Sequence, residues 1–347
     1  MQGITVGTTT YRYGFVTGRA AVGIFLSLQA FCPKGTVLVP ANICYAAVYP
    51  VIYSGRTVRF CDVDPVTGNI SLETLRAAWS SEDTAAIIPH MYGQPVSGME
   101  KIGRFCSQKH VFLIEDCASA MGACTSEYKL GSVGDCVLYS TGYAKTLDLG
   151  IGGLLCSDRV SLTDVEETEK RLPLLDIADE KNMEFFSKLY RFMRNQGSGT
   201  ALEAEIYRVM YESSKGGFLY TIPEGKKEWV LSRLQLLPET IRLRREAEQE
   251  YRAYLGDCPI SIYPYAEGAV PWRFNLLIEP TVRKRVIDAC LEEKLPVSDW
   301  YPRVTDMFSC TEKFPGAEWH EKRILSFPLL IEKSQIRRIC HTIRACL

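Results

Sequence analysis

Between Thr36 and Asp116 short apolar runs alternate with helical patterns, and that alternation constrains the fold more than any other feature of the chain. Thr36 to Val39, Thr57 to Cys61, Ala85 to Pro89 and Val111 to Ile114 each read as a strand. Helical stretches separate them at Ile43 to Tyr53 (turned by Pro50), Ser71 to Trp79 and Gly98 to Gln108. Strands joined through helices return parallel to one another. The pattern therefore predicts an α/β fold with a mostly parallel central sheet and helices on both faces. Strands buried on both faces read as continuous apolar runs, as these do. Ligands of such sheets lie beyond the C-terminal ends of the strands.

Two runs bring chemistry to such ends. Val111-Phe112-Leu113-Ile114 finishes in Glu115 and Asp116. Cys136 to Tyr139 finishes in Ser140, which is followed by Lys145 and then by Gly150, Gly152 and Gly153. An acid, a hydroxyl and an amine are thus offered at strand ends. The combination suits pyridoxal phosphate, which needs an amine for a Schiff base and a carboxylate to keep its pyridine nitrogen protonated as an electron sink. It also needs hydroxyls or backbone N–H groups around its phosphate. Thr17-Gly18-Arg19-Ala20-Ala21 precedes an apolar helical pattern through Val22, Phe25, Leu26 and Gln29. Thr17 or Gly18 is expected at that helix's N-terminus, either as a plain cap or as part of an anion site.

Other polar residues have ordinary readings. Asp62 and Asp64, in an acid-Pro turn after a strand with no His or Glu close by in sequence, read as a solvated loop and not as metal ligands. The four histidines have no metal-binding spacing, so no metal site is expected. His90 sits at a strand end, where it either approaches a cofactor or is a satisfied loop histidine. Beyond Asp158 the chain turns helical and charged, with loops marked by Gly197-Ser198-Gly199 and Gly216-Gly217. Lys226 to Leu255 is a long helical run that Pro238 should kink or split. An α+β unit follows: strands near Ile260 to Tyr263, Trp272 to Ile278 and Leu295 to Val297, a helix from Thr281 to Glu293, and a helix beyond Glu332. A division into residues 1–225 and 226–347 is expected, the second part holding the connecting helix.

With 347 residues, 46% of them apolar, and a net charge of −1, the chain can bury a large core and lacks the basic excess of a nucleic-acid binder. Its thirteen cysteines are scattered without a Cys-x-x-Cys pair, which predicts free thiols in a reducing, cytoplasmic setting. The N-terminal residues read as neither a secretory leader nor a membrane segment.

The order and spacing of several motifs resemble the DegT/DnrJ/EryC1/StrS aminotransferases, which are fold-type-I pyridoxal phosphate enzymes. These motifs are Gly18-Arg19-Ala20-Ala21, Val37-Leu38-Val39-Pro40, Asp62-Val63-Asp64, His90-Met91-Tyr92-Gly93-Gln94-Pro95, Ile114-Glu115-Asp116-Cys117-Ala118, Leu130 to Asp135, and Ser140 to Lys145 with Gly152-Gly153. The resemblance runs from about Phe15 to Asp158 and returns more loosely from Trp272 to Tyr301. It implies that Lys145 holds the cofactor as an internal aldimine and then moves a proton, and that Asp116 pairs with the pyridinium nitrogen. It further implies that Ser140 and the backbone at Gly18 and Arg19 hold the phosphate. The chain departs from the family pattern in four ways. Ser119 replaces a Gln that contacts the ring hydroxyl. Cys44 stands where an aromatic stacks on the ring, with Tyr45 adjacent. Ile151 replaces an acid, and the Asn-x-Arg motif that reaches a neighbouring subunit is not recognisable. The resemblance implies amino transfer from glutamate to a nucleotide-linked keto sugar by a homodimer. Its alternatives are a pyridoxal phosphate enzyme with a non-nucleotide acceptor or an elimination reaction, and a non-catalytic sugar-nucleotide-binding relative. In the family's dehydratase branch histidine replaces the lysine, so Lys145 argues against that branch.

Overall fold

The computed structural model describes residues 3–195 and 201–347. The chain opens with a hairpin of β1 (Ile4–Val6) and β2 (Thr9–Tyr11), then β3 (Tyr13–Thr17) and α1 (Ala20–Phe31). The alternation read from the sequence follows as β4 (Thr36–Pro40), α2 (Tyr45–Tyr53), β5 (Thr57–Cys61), α3 (Leu72–Ala78), β6 (Asp83–Pro89), α4 (Met99–Gln108) and β7 (Phe112–Asp116). Next come β8 (Cys136–Ser140) and β9 (Gly153–Ser157). Seven strands form one sheet in the order β3-β9-β8-β7-β6-β4-β5. The run from β8 to β5 is parallel, while β9 lies antiparallel to both β8 and β3. Neither β3 nor β9 was anticipated from the sequence.

Successive strand residues feed two different cores, as a pleated sheet requires. Val37, Val39, Ile87, Ile114, Cys136 and Leu138 pack with α1 and α2 on one face. Leu38, Ala86, Ile88, Leu113, Val137 and Tyr139 pack with Leu75 of α3 and Met99, Ile102 and Phe105 of α4 on the other. Helices therefore cover both faces.

After β9 the chain is helical: α5 (Thr163–Glu169), α6 (Ile177–Asn195), α7 (Ala201–Ser213), α8 (Lys215–Phe218) and α9 (Glu224–Arg233). Gly216 and Gly217 lie inside α8 and not in a loop, because they sit against Asp179 and Met183 of α6, where a Cβ would fall within 2.3 Å of a side-chain atom. The expected loop at Gly197-Ser198-Gly199 lies outside the described residues. The long run containing Pro238 is split, as its proline requires: a 3₁₀ turn at Leu234–Leu236 separates α9 from α10 (Leu237–Leu255), where Pro238 occupies the first turn. Val230 and Leu237 pack into the second of the two sheet cores, and the chain enters a further core at Tyr251 and Leu255. That core is closed by an antiparallel sheet of β10 (Ser261–Ile262), β11 (Phe274–Leu277) and β12 (Ile324–Phe327), with α11 (Pro280–Glu292) and α13 (Lys333–Ala345). Between them α12 (Pro315–Glu321) docks back on the large sheet through Ala317.

The strand expected at Leu295 to Val297 is absent. Pro296 has no N–H to give a ladder, and only a single bridge from Ser298 to Ser326 forms. Asp62 and Asp64 act as caps. Asp62 accepts from the N–H groups of Gly316 and Ala317 at the start of α12, each at 2.8 Å, and Asp64 closes its own turn through Thr67 N at 2.7 Å.

Candidate active site

The strand ends set the site. Register places Ser140 opposite Gly153, Gly153 opposite Thr17, and Asp116 opposite both Leu138 and Pro89. The residues following β3, β4, β7 and β8 therefore meet at one edge of the sheet. Helix α1 starts one to two residues later than expected: Arg19 is its N-cap and gives no side-chain cap. Thr17 instead donates to Arg19 O at 2.9 Å. The Arg19 guanidinium turns away to Gly217 O (2.7 Å) and stacks on Phe218, so this corner offers backbone N–H groups. The chains crowd here. A Cβ at Gly18 would lie 2.3 Å from Tyr220 O, and one at Gly153 would lie 2.3 Å from Ala20 N.

Lys145 lies on the loop between β8 and β9, and that loop is held at every turn. Ala144 has φ of 58°, a left-handed conformation that costs an L-residue stability unless its surroundings impose it. Asp148 accepts from the N–H of Ala144 (2.7 Å) and of Gly150 (3.0 Å). Three successive carbonyls are then taken by side chains from far along the sequence. Trp272 Nε1 donates to Ala144 O, and buried Arg244 of α10 donates to Lys145 O (2.8 Å) and Thr146 O (3.0 Å). Arg244 also donates to Trp272 O at 2.7 Å, so one guanidinium joins the loop to its other anchor. Burial works against the Arg244 charge, and three carbonyl oxygens offset that penalty.

The lysine amine reaches back over the sheet edge. Nζ donates to Ser119 Oγ at 3.3 Å and is within hydrogen-bonding reach of the Tyr301 hydroxyl, with Cys44 and Asp116 close by. Burial alone would lower the ammonium; Tyr301, Cys44 and Asp116 around it hold it above the ordinary lysine range. Asp116 Oδ1 accepts from Ala118 N at 2.8 Å, and among the described residues Asp116 forms no ion pair. Burial pushes its carboxyl up against the opposing pull of that N–H and of Lys145. Burial likewise raises the Cys44 thiol.

The structure thus brings Lys145, Asp116, Ser119 and Cys44 together, with Gly18, Arg19 and Ser140 (whose Oγ accepts from Gly142 N at 3.3 Å) on the same sheet edge. Tyr45 goes elsewhere. Its ring is taken up by Tyr49, Phe186, Tyr190 and Trp300. His90 is the satisfied loop histidine. Its Nδ1 accepts from Val96 N at 2.9 Å, which leaves the proton on Nε2 to donate to Glu115 at 3.1 Å. Tyr301, Trp272 and Arg244 were not singled out from the sequence; the only signal was the looser resemblance between Trp272 and Tyr301.

These residues fit pyridoxal phosphate. A half-buried carboxylate with one backbone donor and no ion pair among the described residues matches a protonated ring nitrogen, and an uncapped helix N-terminus beside Ser140 matches a phosphate. A predominantly parallel sheet with a lysine and an aspartate at its C-terminal edge is the architecture of a fold-type-I pyridoxal phosphate enzyme. The chain belongs to the DegT/DnrJ/EryC1/StrS aminotransferase family, whose sequence profile matches residues 8–344. It is 29% identical over 349 residues to a GDP-perosamine synthase of Escherichia coli O157:H7, covering 96% of this chain and 85% of that one. It is 25% identical over 333 residues to the dTDP-4-dehydro-2,3,6-trideoxy-D-glucose 4-aminotransferase of Saccharopolyspora spinosa, covering 93% and 81%. The fold matches that of DesI, crystallised in the presence of its TDP-sugar product, with a TM-score of 0.74 at 20% identity over 97% of this chain and 81% of DesI.

The Arg244 clamp has a measurable consequence. Arg244→Met frees three carbonyls and lets the strained turn at Ala144 relax, so turnover is expected to fall about 10- to 100-fold through misplacement of Lys145. Substrate KM should change little. A variant with unchanged kcat would show that the loop holds itself.

Proposed function

We propose that this chain transfers an amino group from glutamate to a keto sugar carried on a nucleotide, with pyridoxal phosphate held by Lys145, Asp116, Ser119, Ser140 and the N-terminus of α1. The observation that carries this reading is the meeting of Lys145 Nζ with Ser119, Tyr301 and Asp116 at one sheet edge. Bound there, the cofactor supplies an electron sink for the carbon that loses a proton. Asp116 keeps the ring nitrogen charged. Lys145 Nζ carries the proton across the substrate carbon, and the Tyr301 hydroxyl orients that amine. Trp272 and Trp300 pack against Tyr301, apolar cover that would keep bulk water from the proton.

The same reading makes the protein a cytoplasmic homodimer. All thirteen cysteines are free thiols, in keeping with a reducing compartment. No helix among the described residues is long and apolar enough to cross a membrane. The apolar segment from Ile43 to Tyr53 is spent inside the chain and not on an association surface: Ala47 to Val51 are buried. Apolar surface stands on α6 and α7, where Ile177 is 69%, Phe185 64% and Val209 52% exposed.

The test is spectroscopic. Glutamate should discharge the visible absorbance of the cofactor-loaded protein, and nucleotide-linked keto sugars should restore it. Light scattering should give twice the chain mass. An absorbance that glutamate leaves unchanged would rule out the donor, and restoration by simple keto acids alone would rule out the acceptor.

A further inference from the structure

Arg273 brings to the Lys145 cleft a cation that no carboxylate among the described residues neutralises. It directly precedes β11, and its guanidinium carbon stands 4.7 Å over the Trp272 ring. Trp272 is itself fixed, bonded through Nε1 to Ala144 O and stacked on Tyr301 at 5.2 Å between ring centroids. The guanidinium thus rests on an indole that itself stacks on Tyr301, the tyrosine that reaches Lys145. Burial works against its charge, and the nearby Tyr301 and Tyr143 favour it only in part. Tyr143 is 82% exposed, which marks this as the mouth of the cleft and not its floor.

Beyond its stacking on Trp272, this cation has no charged partner among the described residues. Its Nε is buried without a hydrogen-bond partner, and among the described residues Arg273 makes no ion pair. The other guanidinia around the cleft are engaged: Arg244 holds three carbonyls and Arg19 holds Gly217 O. Arg244 is also close enough to Arg273 for the two charges to oppose each other. A partly dehydrated guanidinium beside a like charge is unfavourable without a counter-anion. Its planar fork takes paired oxygens of a carboxylate or phosphate, and stacking on an indole leaves the N–H edge free to do so.

We propose that Arg273 binds an oxyanion of the substrate at the mouth of the Lys145 cleft. The shared chemistry is a pair of anionic oxygens, which two substrates of the proposed reaction carry: the amino donor's carboxylate and the sugar nucleotide's diphosphate. This choice of sources rests on the aminotransferase reading; the binding of an oxyanion does not.

Calorimetric titration of the cofactor-loaded wild type, R273K and R273Q with maleate, and separately with thymidine and guanosine diphosphates, tests the proposal. R273Q is expected to bind at least one of these anions about tenfold or more weakly, with partial recovery in R273K, which restores the charge without the fork. A loss confined to maleate assigns Arg273 to the donor carboxylate. A loss confined to the nucleoside diphosphates assigns it to the acceptor, and loss of both assigns it to an oxyanion position that the two share. Wild-type protein that binds neither, or variants that bind both as tightly as wild type, overturns the proposal. If R273Q does not fold, R273K decides alone, with wild-type affinity counting against. Glutamate-dependent bleaching of the wild type separates the two readings. If bleaching fails while anion binding still depends on Arg273, only the aminotransferase reading falls. If bleaching proceeds and R273Q keeps wild-type KM values for both substrates, only the proposal for Arg273 falls.

Discussion

Lys145→Ala is expected to lower amino transfer by about 10²- to 10⁴-fold or more, the range over which a positioned proton-transfer group contributes. The geometry explains why no neighbour substitutes. Ser119 and Tyr301 offer hydroxyls to the site, but Lys145 supplies the amine that lies beside Asp116. Its loop is tied through Ala144, Lys145 and Thr146 to Trp272 and Arg244, so a second lysine cannot be swung in by local movement. Covalent capture is the decisive check. Borohydride reduction of the loaded wild type should leave a phosphopyridoxyl group on the peptide containing Lys145, and a label on any other lysine would remove Lys145 from its role. Asp116→Ala is expected to retain cofactor on Lys145 while turnover falls, since the ring nitrogen loses its counter-charge; normal turnover in that variant would separate Asp116 from the chemistry.

How much of this was legible follows from where each residue stands in the chain. Strands β4 to β8 were readable because each carries a short apolar run, most of it buried in the sheet, although edge strand β5 is exposed at Thr57 and carries Arg59. β9 was not: Gly153-Leu154-Leu155-Cys156-Ser157 follows a glycine-rich turn and reads as part of it, and only its antiparallel pairing with Ser140 and Thr17 makes it a strand. Leu295 to Val297 showed the opposite error, an apolar triplet with Pro296 at its centre that could not join a ladder. Within the candidate site, Asp116 and Lys145 were visible because each lies within a few residues of a strand end, a signal carried by local sequence, whereas Ser119 was singled out only through the family resemblance. Arg244 and Tyr301 reach the same point from 99 and 156 residues beyond Lys145, which local periodicity does not encode. Tyr45 was a neighbour in sequence to the ring-facing position, but its rotation about the start of α2 sends it into the aromatic cluster with Phe186 and Tyr190.

Glu115→Gln is expected to destabilise the fold by about 2–4 kcal/mol, although Glu115 touches none of the residues proposed to meet substrate. The carboxylate is fully buried and saturated. Oε1 accepts from Gly131 N (2.6 Å) and His90 Nε2 (3.1 Å), and Oε2 accepts from Val133 N (3.0 Å) and Gly134 N (2.8 Å). A glutamine keeps one acceptor oxygen and sets an NH₂ against two donors at the other, so whichever way the amide is turned, two buried N–H groups lose their partner. Burial alone would raise the Glu115 carboxyl, but the His90 N–H and the N–H groups of Gly131 and Gly134 outweigh it and hold the group below the usual glutamate range. A carboxylate depressed on folding stabilises the protein fully above its unfolded pKa and loses that contribution as pH falls through its folded value. The gap between wild type and variant should accordingly stay constant near neutrality and close only in acid, below about pH 4. Urea denaturation across this pH range measures it, as a lowered midpoint at unchanged slope. The adjacent residues of β7 thus divide their work: Asp116 faces the cleft, while Glu115 points to the other side of the strand and ties His90 to the loop at Gly131 to Gly134. A variant as stable as wild type at neutral pH would mean that the loop is held by its own turns, and that the carboxylate beside Asp116 has a duty other than structure.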